Sequence, residues 1–158
     1  MSLVEKRIKQ ILIEKNIPFE ELEHQAVFTC EEAARVRGLK SAREGIKCLI
    51  FKTNTGRFLL VLNPGDERID TKKIARMEDV KDLDLAEPDE VEKIAGVPIG
   101  CVPPFGLKKK VKTYLNEELL ENDFLYFNPG SHTKTIQIRA RDLLKVLDDA
   151  IRFKSAKP

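Results

Sequence analysis

The sequence predicts the α+β class: one domain on a mixed, largely antiparallel β-sheet with helices packed around it. Two observations point there. Apolar stretches of strand length are interleaved with short helical patterns in no regular order, and the strict β–α–β succession of a doubly wound sheet is missing. No internal repeat, low-complexity tract or linker-like stretch divides the chain, so residues 1–158 read as a single domain.

The elements follow in order. Leu3 to Asn16 sets Val4, Ile8, Ile11 and Leu12 at helical spacing, and Asn16 ahead of Ile17-Pro18 is a stop. Phe19 to His24 alternates and reads as a strand. Thr29 and Glu32 have capping-box spacing for a helix running to about Arg37, which Gly38 closes. Ile46–Lys52 and Arg57–Leu62 read as a hairpin about Thr53-Asn54-Thr55-Gly56. Asn63-Pro64-Gly65-Asp66 reads as a loop, and Asp70 as the cap of a short helix through Met77. Pro88 and Asp89 open another helix, which ends near Gly96. From Gly96 to Gly106, three prolines and three glycines exclude a helix. Strands follow at Lys110–Tyr114, Phe124–Phe127 and Thr135–Arg139. A closing amphipathic helix carries Leu143, Leu144, Leu147 and Ile151.

Composition excludes several classes. Apolar residues at 42% and charged residues at 34% suit a soluble globular chain, and no run approaches the roughly 20 apolar residues of a membrane span. Met1 to Asn16 mixes charges and lacks the apolar stretch of a signal peptide, so a cytoplasmic location is expected. Three well-separated cysteines (Cys30, Cys48, Cys101) and two histidines argue against a disulfide scaffold or a metal centre. From Gly106 onward, 11 basic residues face 7 acidic ones, starting with Lys108, Lys109, Lys110 and Lys112. Such an excess either holds a polyanion or is a solvated face.

Three segments carry candidate chemistry. Lys47 lies in an apolar run where strand alternation puts it on one face with Leu49 and Phe51, so it needs an anionic or polar partner or must snorkel to water. The stiff Gly100–Gly106 loop can present its backbone groups to a ligand or serve as a rigid turn. Asn128 to Thr133 gathers Ser131, His132 and Thr133, all able to bond a ribose hydroxyl or an ester carbonyl. A Cys101–His132 nucleophilic pair has no local support. Asp66, Glu67 and Asp70 read as loop and helix-cap acids.

Taken together, these segments resemble the YbaK/ProX family of aminoacyl-tRNA editing domains, which includes the insertion domain of bacterial prolyl-tRNA synthetases. Four collinear matches carry the resemblance: Gly45-Ile46-Lys47-Cys48-Leu49; Pro64 to Asp70 followed by Lys73-Ile74-Ala75; Gly100 to Gly106; and Pro129 to Thr133 before Ile136-Gln137-Ile138. It covers about residues 19–147. It departs at Ile99, where a second glycine is expected, and at Pro103, where a small hydroxyl residue is commoner.

The resemblance implies a barrel-like mixed sheet and hydrolysis of the ester between an amino acid and the tRNA terminal adenosine, without metal or cofactor. Lys47, Gly100 and His132 are the implied catalytic residues. Cys101, Val102, Pro103, Pro104, Phe105, Gly130, Ser131 and Thr133 would bind substrate, and Lys108, Lys109, Lys110 and Lys112 the acceptor stem. The expected partners are an aminoacylated tRNA (tRNA-Pro carrying alanine first, then serine, threonine or cysteine) and an aminoacyl-tRNA synthetase. The rival reading is a non-catalytic tRNA- or synthetase-binding module of the same fold.

Overall fold

The computed structural model describes residues 1–39 and 41–155. Helix α1 (Leu3–Glu14) opens on Ser2, whose hydroxyl accepts from the Glu5 amide at 3.1 Å. Its apolar stripe Val4, Ile8, Leu12 is buried, and Asn16, at φ 56°, ends the run as expected. Helix α2 (Cys30–Val36) starts on Thr29, whose hydroxyl accepts from the Glu32 amide at 3.0 Å. Helix α3 (Thr71–Glu78) is capped by Asp70, and helix α4 (Pro88–Ala95) starts on a proline with a Glu87–Glu90 capping box.

Among the described residues, eight strands form two sheets. The smaller has the order β1 (Glu20–Glu23), β7 (Lys134–Arg139), β6 (Phe124–Phe127), all antiparallel. The larger has the order β4 (Leu83–Leu85), β2 (Ile46–Thr53), β3 (Phe58–Pro64), β5 (Lys112–Asn116), β8 (Ile151–Phe153). Strands β4, β2 and β3 pair antiparallel, whereas β3–β5 and β5–β8 are parallel. An isolated parallel bridge from Gly45 to Tyr126 joins the sheets. This is the expected mixed, largely antiparallel arrangement with surrounding helices, barrel-like only in that two sheets face a shared core, since they do not close.

That core takes Ile8 and Leu12 of α1, Ile46 and Ile50 of β2, Leu60 and Leu62 of β3, and Ile136 and Ile138 of β7. The opposite face of the larger sheet carries a second cluster, in which Phe51, Leu59, Val61 and Tyr114 pack under Ile74 of α3. Strand alternation thus assigns Lys47, Leu49 and Phe51 to the α3 side, as the sequence pattern requires.

Other expectations are corrected. Asn63 and Pro64 belong to β3, in register with Lys47 and Ile46, because β2 extends far enough to pair them. The closing helix is only α5 (Ala140–Val146). Ile151 lies in β8 against Tyr114, since an unpaired parallel edge on β5 rewards an extended apolar segment more than a further helical turn would. Strand β4 and the 3-10 turns Ala42–Glu44 and Glu117–Glu121 were not foreseen. No described helix is long and apolar enough to cross a membrane.

Candidate active site

The first residues of β2 floor a cavity of about 410 Å³. Lys47, Gly45 and Gly65 line it from the β2–β3 hairpin side, Phe28, Cys30 and Arg37 from α2 and its approach, and Gly100, Val102 and Asn128 from the loops opposite. The close approach of these segments depends on missing side chains. A Cβ on Gly65 would stand 2.4 Å from the Ala42 carbonyl, and the Gly65 amide donates to the Gly45 carbonyl at 2.9 Å.

Lys47 sits at the end of a buried polar ladder. It pairs in register with Asn63 of β3, and the Asn63 amide oxygen accepts from Asn116 Nδ2 of β5 at 2.8 Å. The Lys47 ammonium donates to the Glu67 carbonyl at 2.7 Å, and Asn63 Nδ2 donates to that same oxygen at 3.1 Å. Asn63 and Asn116 are fully buried, so each bond replaces one that water would otherwise supply. One ammonium proton is thereby committed, and the others are available to the cavity.

Behind this ladder the carboxyls of Glu67 and Glu118 meet. Their mutual hydrogen bond, together with burial and the Glu118 charge, pushes Glu67 up to about 7. Asp70 is a helix cap, as read from the sequence, but Glu67 is more than a loop acid.

Gly100 has φ +89°, and a Cβ there would lie 3.1 Å from Cε1 of His132. His132 Nδ1 meets the Val27 carbonyl at 2.9 Å, so Nδ1 must donate, and its ring packs against Phe28, tilted by 40° with centroids 4.5 Å apart. His132 therefore backs Phe28 and Gly100, two residues of the cavity wall.

Other predicted residues are dispersed. Val102 lines the cavity, whereas Cys101, Pro103 and Phe105 are buried, the first and last within the main core. Pro104 and Phe105 border a second cavity with Lys108, Lys109 and Lys110; the two cavities share no lining residue. Gly130 packs on Val97, while Ser131 and Thr133 hydrogen-bond each other at 2.9 Å. Lys112 is tied to the buried Glu78 at 2.9 Å.

No thiol in the cavity is activated. Burial pushes Cys48 and Cys30 upward, and pushes Cys101 up to about 11, so all three are protonated near neutral pH. Among the described residues, no group of three or more His, Cys, Asp or Glu side chains is placed to hold a metal ion.

Sequence reading missed Phe28, Arg37 and Asn128. Phe28 carried a signal, as a large apolar residue just before a capping box, and is 69% exposed here. Arg37 read only as a cation ending a helix.

The aminoacyl-tRNA editing domain family matches residues 24–146. The chain is 26% identical over 148 residues to the multifunctional Ser/Thr-tRNA deacylase ProXp-y of Escherichia coli (strain K12), covering 92% of this chain and 89% of that one. It is 30% identical over 123 residues to the proline–tRNA ligase of Caldicellulosiruptor bescii, covering 77% of this chain but 21% of the ligase. A solved structure described as a "putative trans-editing enzyme for prolyl tRNA synthetase" superposes with a TM-score of 0.84 at 27% identity, over 100% of this chain and 99% of the other.

Proposed function

From the premise that this chain belongs to the aminoacyl-tRNA editing domain family, we propose that it is a trans-acting deacylase that hydrolyses the ester of mischarged tRNA. The observation that carries this reading is the cavity itself: an ammonium, a glycine backbone and a guanidinium line one pocket without an activated thiol. Such a site suits an already activated ester, because positioning and charge stabilisation supply the rate without a protein nucleophile.

Water attacks the ester carbonyl, and the bond from that carbon to the ribose oxygen breaks. The water's proton ends on the ribose oxygen, leaving free amino acid and a tRNA 3′ hydroxyl. Lys47 holds the terminal adenosine end and its developing negative charge, and the Gly100 backbone orients the carbonyl. His132 keeps Phe28 and Gly100 in place behind the cavity wall. The Lys108–Lys110 cluster serves the acceptor stem, without Lys112, whose ammonium is tied to Glu78.

The substrate is a small amino acid, because a pocket excludes larger side chains far better than it separates near isosteres. Alanine, serine, threonine and cysteine are the candidates, on tRNA-Pro first. A synthetase that supplies the mischarged tRNA is the proposed partner, and the cytoplasm the proposed location.

The test is release of labelled amino acid from Ala-, Ser-, Thr-, Cys- and Pro-tRNA. Rapid release from one small-amino-acid substrate is expected, with Lys47→Ala slowing it about 10²–10³-fold while tRNA binding persists. Unchanged turnover in Lys47→Ala overturns its assignment. Release from none, with tRNA still bound, selects the binding-module reading.

A further inference from the structure

The cavity contains a cation that no carboxylate among the described residues neutralises. Arg37, at the C-terminal end of α2, extends over the junction of the two sheets, where Gly45 leaves room. A Cβ on Gly45 would lie 3.1 Å from Arg37 Nη1. Its Nε donates to Thr135 Oγ1 at 2.9 Å, and Nη2 reaches Asn128 Oδ1 only at 3.5 Å. The groups that act on it electrostatically are Cys30, Cys48 and Tyr126, none of them a carboxylate. Glu31, the acid in the cavity lining, is exposed and acts on Cys30. Burial alone pushes Arg37 down to about 10, still charged at neutral pH.

The orientation of this guanidinium is fixed by a directed chain. His24 Nδ1 lies 2.8 Å from the Gln25 carbonyl and so donates to it. In the neutral ring Nε2 is then an acceptor, 2.8 Å from Thr135 Oγ1. The fully buried Thr135 hydroxyl gives its proton to His24 and accepts from Arg37 Nε. Every role is consistent, and the Nη fork is left facing the cavity. Desolvating a cation without a counter-charge is costly, and a planar fork matches two oxygens of one anion.

We propose that Arg37 is the anion-binding residue of this cavity and takes the phosphodiester that precedes the terminal adenosine of the tRNA acceptor end. This rests on the deacylase reading. In an aminoacylated 3′ end the amino acid's carboxyl is esterified and its amine is cationic, so the phosphodiesters are the only anions near the ester.

The experiment compares cytidylyl-(3′→5′)-adenosine, which carries that phosphodiester, with adenosine, which lacks it. Calorimetry at low salt is expected to show the wild type preferring the dinucleotide about tenfold or more, the scale of a charge-assisted hydrogen bond. Arg37→Gln brings the ratio near one and Arg37→Lys falls between, whereas Lys47→Ala keeps the preference. Thr135→Val, which leaves the charge but releases Nε, lowers it partly. Hydrolysis of aminoacyl dinucleotide relative to aminoacyl adenosine follows the same ratio. A preference that survives Arg37→Gln, that vanishes in Lys47→Ala instead, or that is absent from the wild type overturns the assignment. Binding is read without turnover, so a chain that proves not to hydrolyse these esters still shows whether Arg37 holds the phosphodiester. Thermal melting of Arg37→Gln is expected at or above the wild-type temperature, since a partly buried cation with no carboxylate partner among the described residues is removed; a large drop instead marks a structural role and overturns the proposal.

Discussion

The β2–β3 hairpin holds charge at both ends, and the two ends treat it differently. At the turn end, Glu78 of α3 is 7% exposed and fully matched: Arg57 reaches it at 2.8 Å, Lys112 at 2.9 Å, and the Tyr114 hydroxyl donates to it. Burial works to raise this carboxyl, but Tyr114, Lys112 and Arg57 outweigh it and hold it below the ordinary range. At the open end, among the described residues, Arg37 meets no carboxylate and Lys47 is met only by a carbonyl. A buried charge that the protein satisfies itself is structural, whereas one left short of partners beside a cavity awaits a ligand.

The most severe way to break the closed end is Glu78→Ala. It strands the Tyr114 hydroxyl in the second core and removes the counter-charge of two cations. A loss of about 1–3 kcal/mol is expected, read as a lower urea midpoint, with deacylation at 25 °C unchanged because the cavity is not touched. A loss of activity in the still-folded variant would mean that the two ends are coupled.

The next test works on the open end through pH. Glu67 is raised, so its protonated form is favoured by folding. Its contribution is complete below the ordinary glutamate value and is lost as pH rises through about 7. Melting temperatures should therefore decline between about pH 5 and pH 8. Glu118→Gln keeps a donor toward Glu67 and removes the second acid, so the decline should flatten; an unaltered slope would show that the pair does not share a proton. Glu78 and Glu5, both held low, lose their contributions only at more acid pH and do not interfere in this window.

The smallest effect is expected at Lys110, whose contact with Asp149 at 3.3 Å joins two well-exposed groups. Lys110→Ala should change stability by less than about 0.5 kcal/mol. If the lysine cluster holds the acceptor stem, the same variant reduces the salt dependence of tRNA affinity by about one counterion. Salt dependence like that of the wild type would remove the cluster from the interface.

Much of the fold was legible because local rules governed it. The α1 stripe, the Thr29 and Asp70 caps, the hairpin turn and the Gly96–Gly106 break all depend on neighbours within a few residues. Elements decided at long range were not legible: β8 forms because β5 offers a parallel edge, and the last two residues of β3, Asn63 and Pro64, join it because β2 runs alongside them. The site divides in the same way. Lys47 and Gly100 stood out as a charge in an apolar run and a glycine in a stiff loop, and both line the cavity.

By itself, the sequence determined the class of fold, the family resemblance and the face of β2 on which Lys47 lies, since periodicity and turn chemistry are local properties. Only the tertiary structure decided which charges are spent. Arg37 and Lys112 look alike along the chain, one ending a helix and the other within a basic cluster. Among the described residues, packing set a buried carboxylate beside Lys112 and none beside Arg37, because the energy of a charge depends on what surrounds it in space and not on its neighbours in sequence.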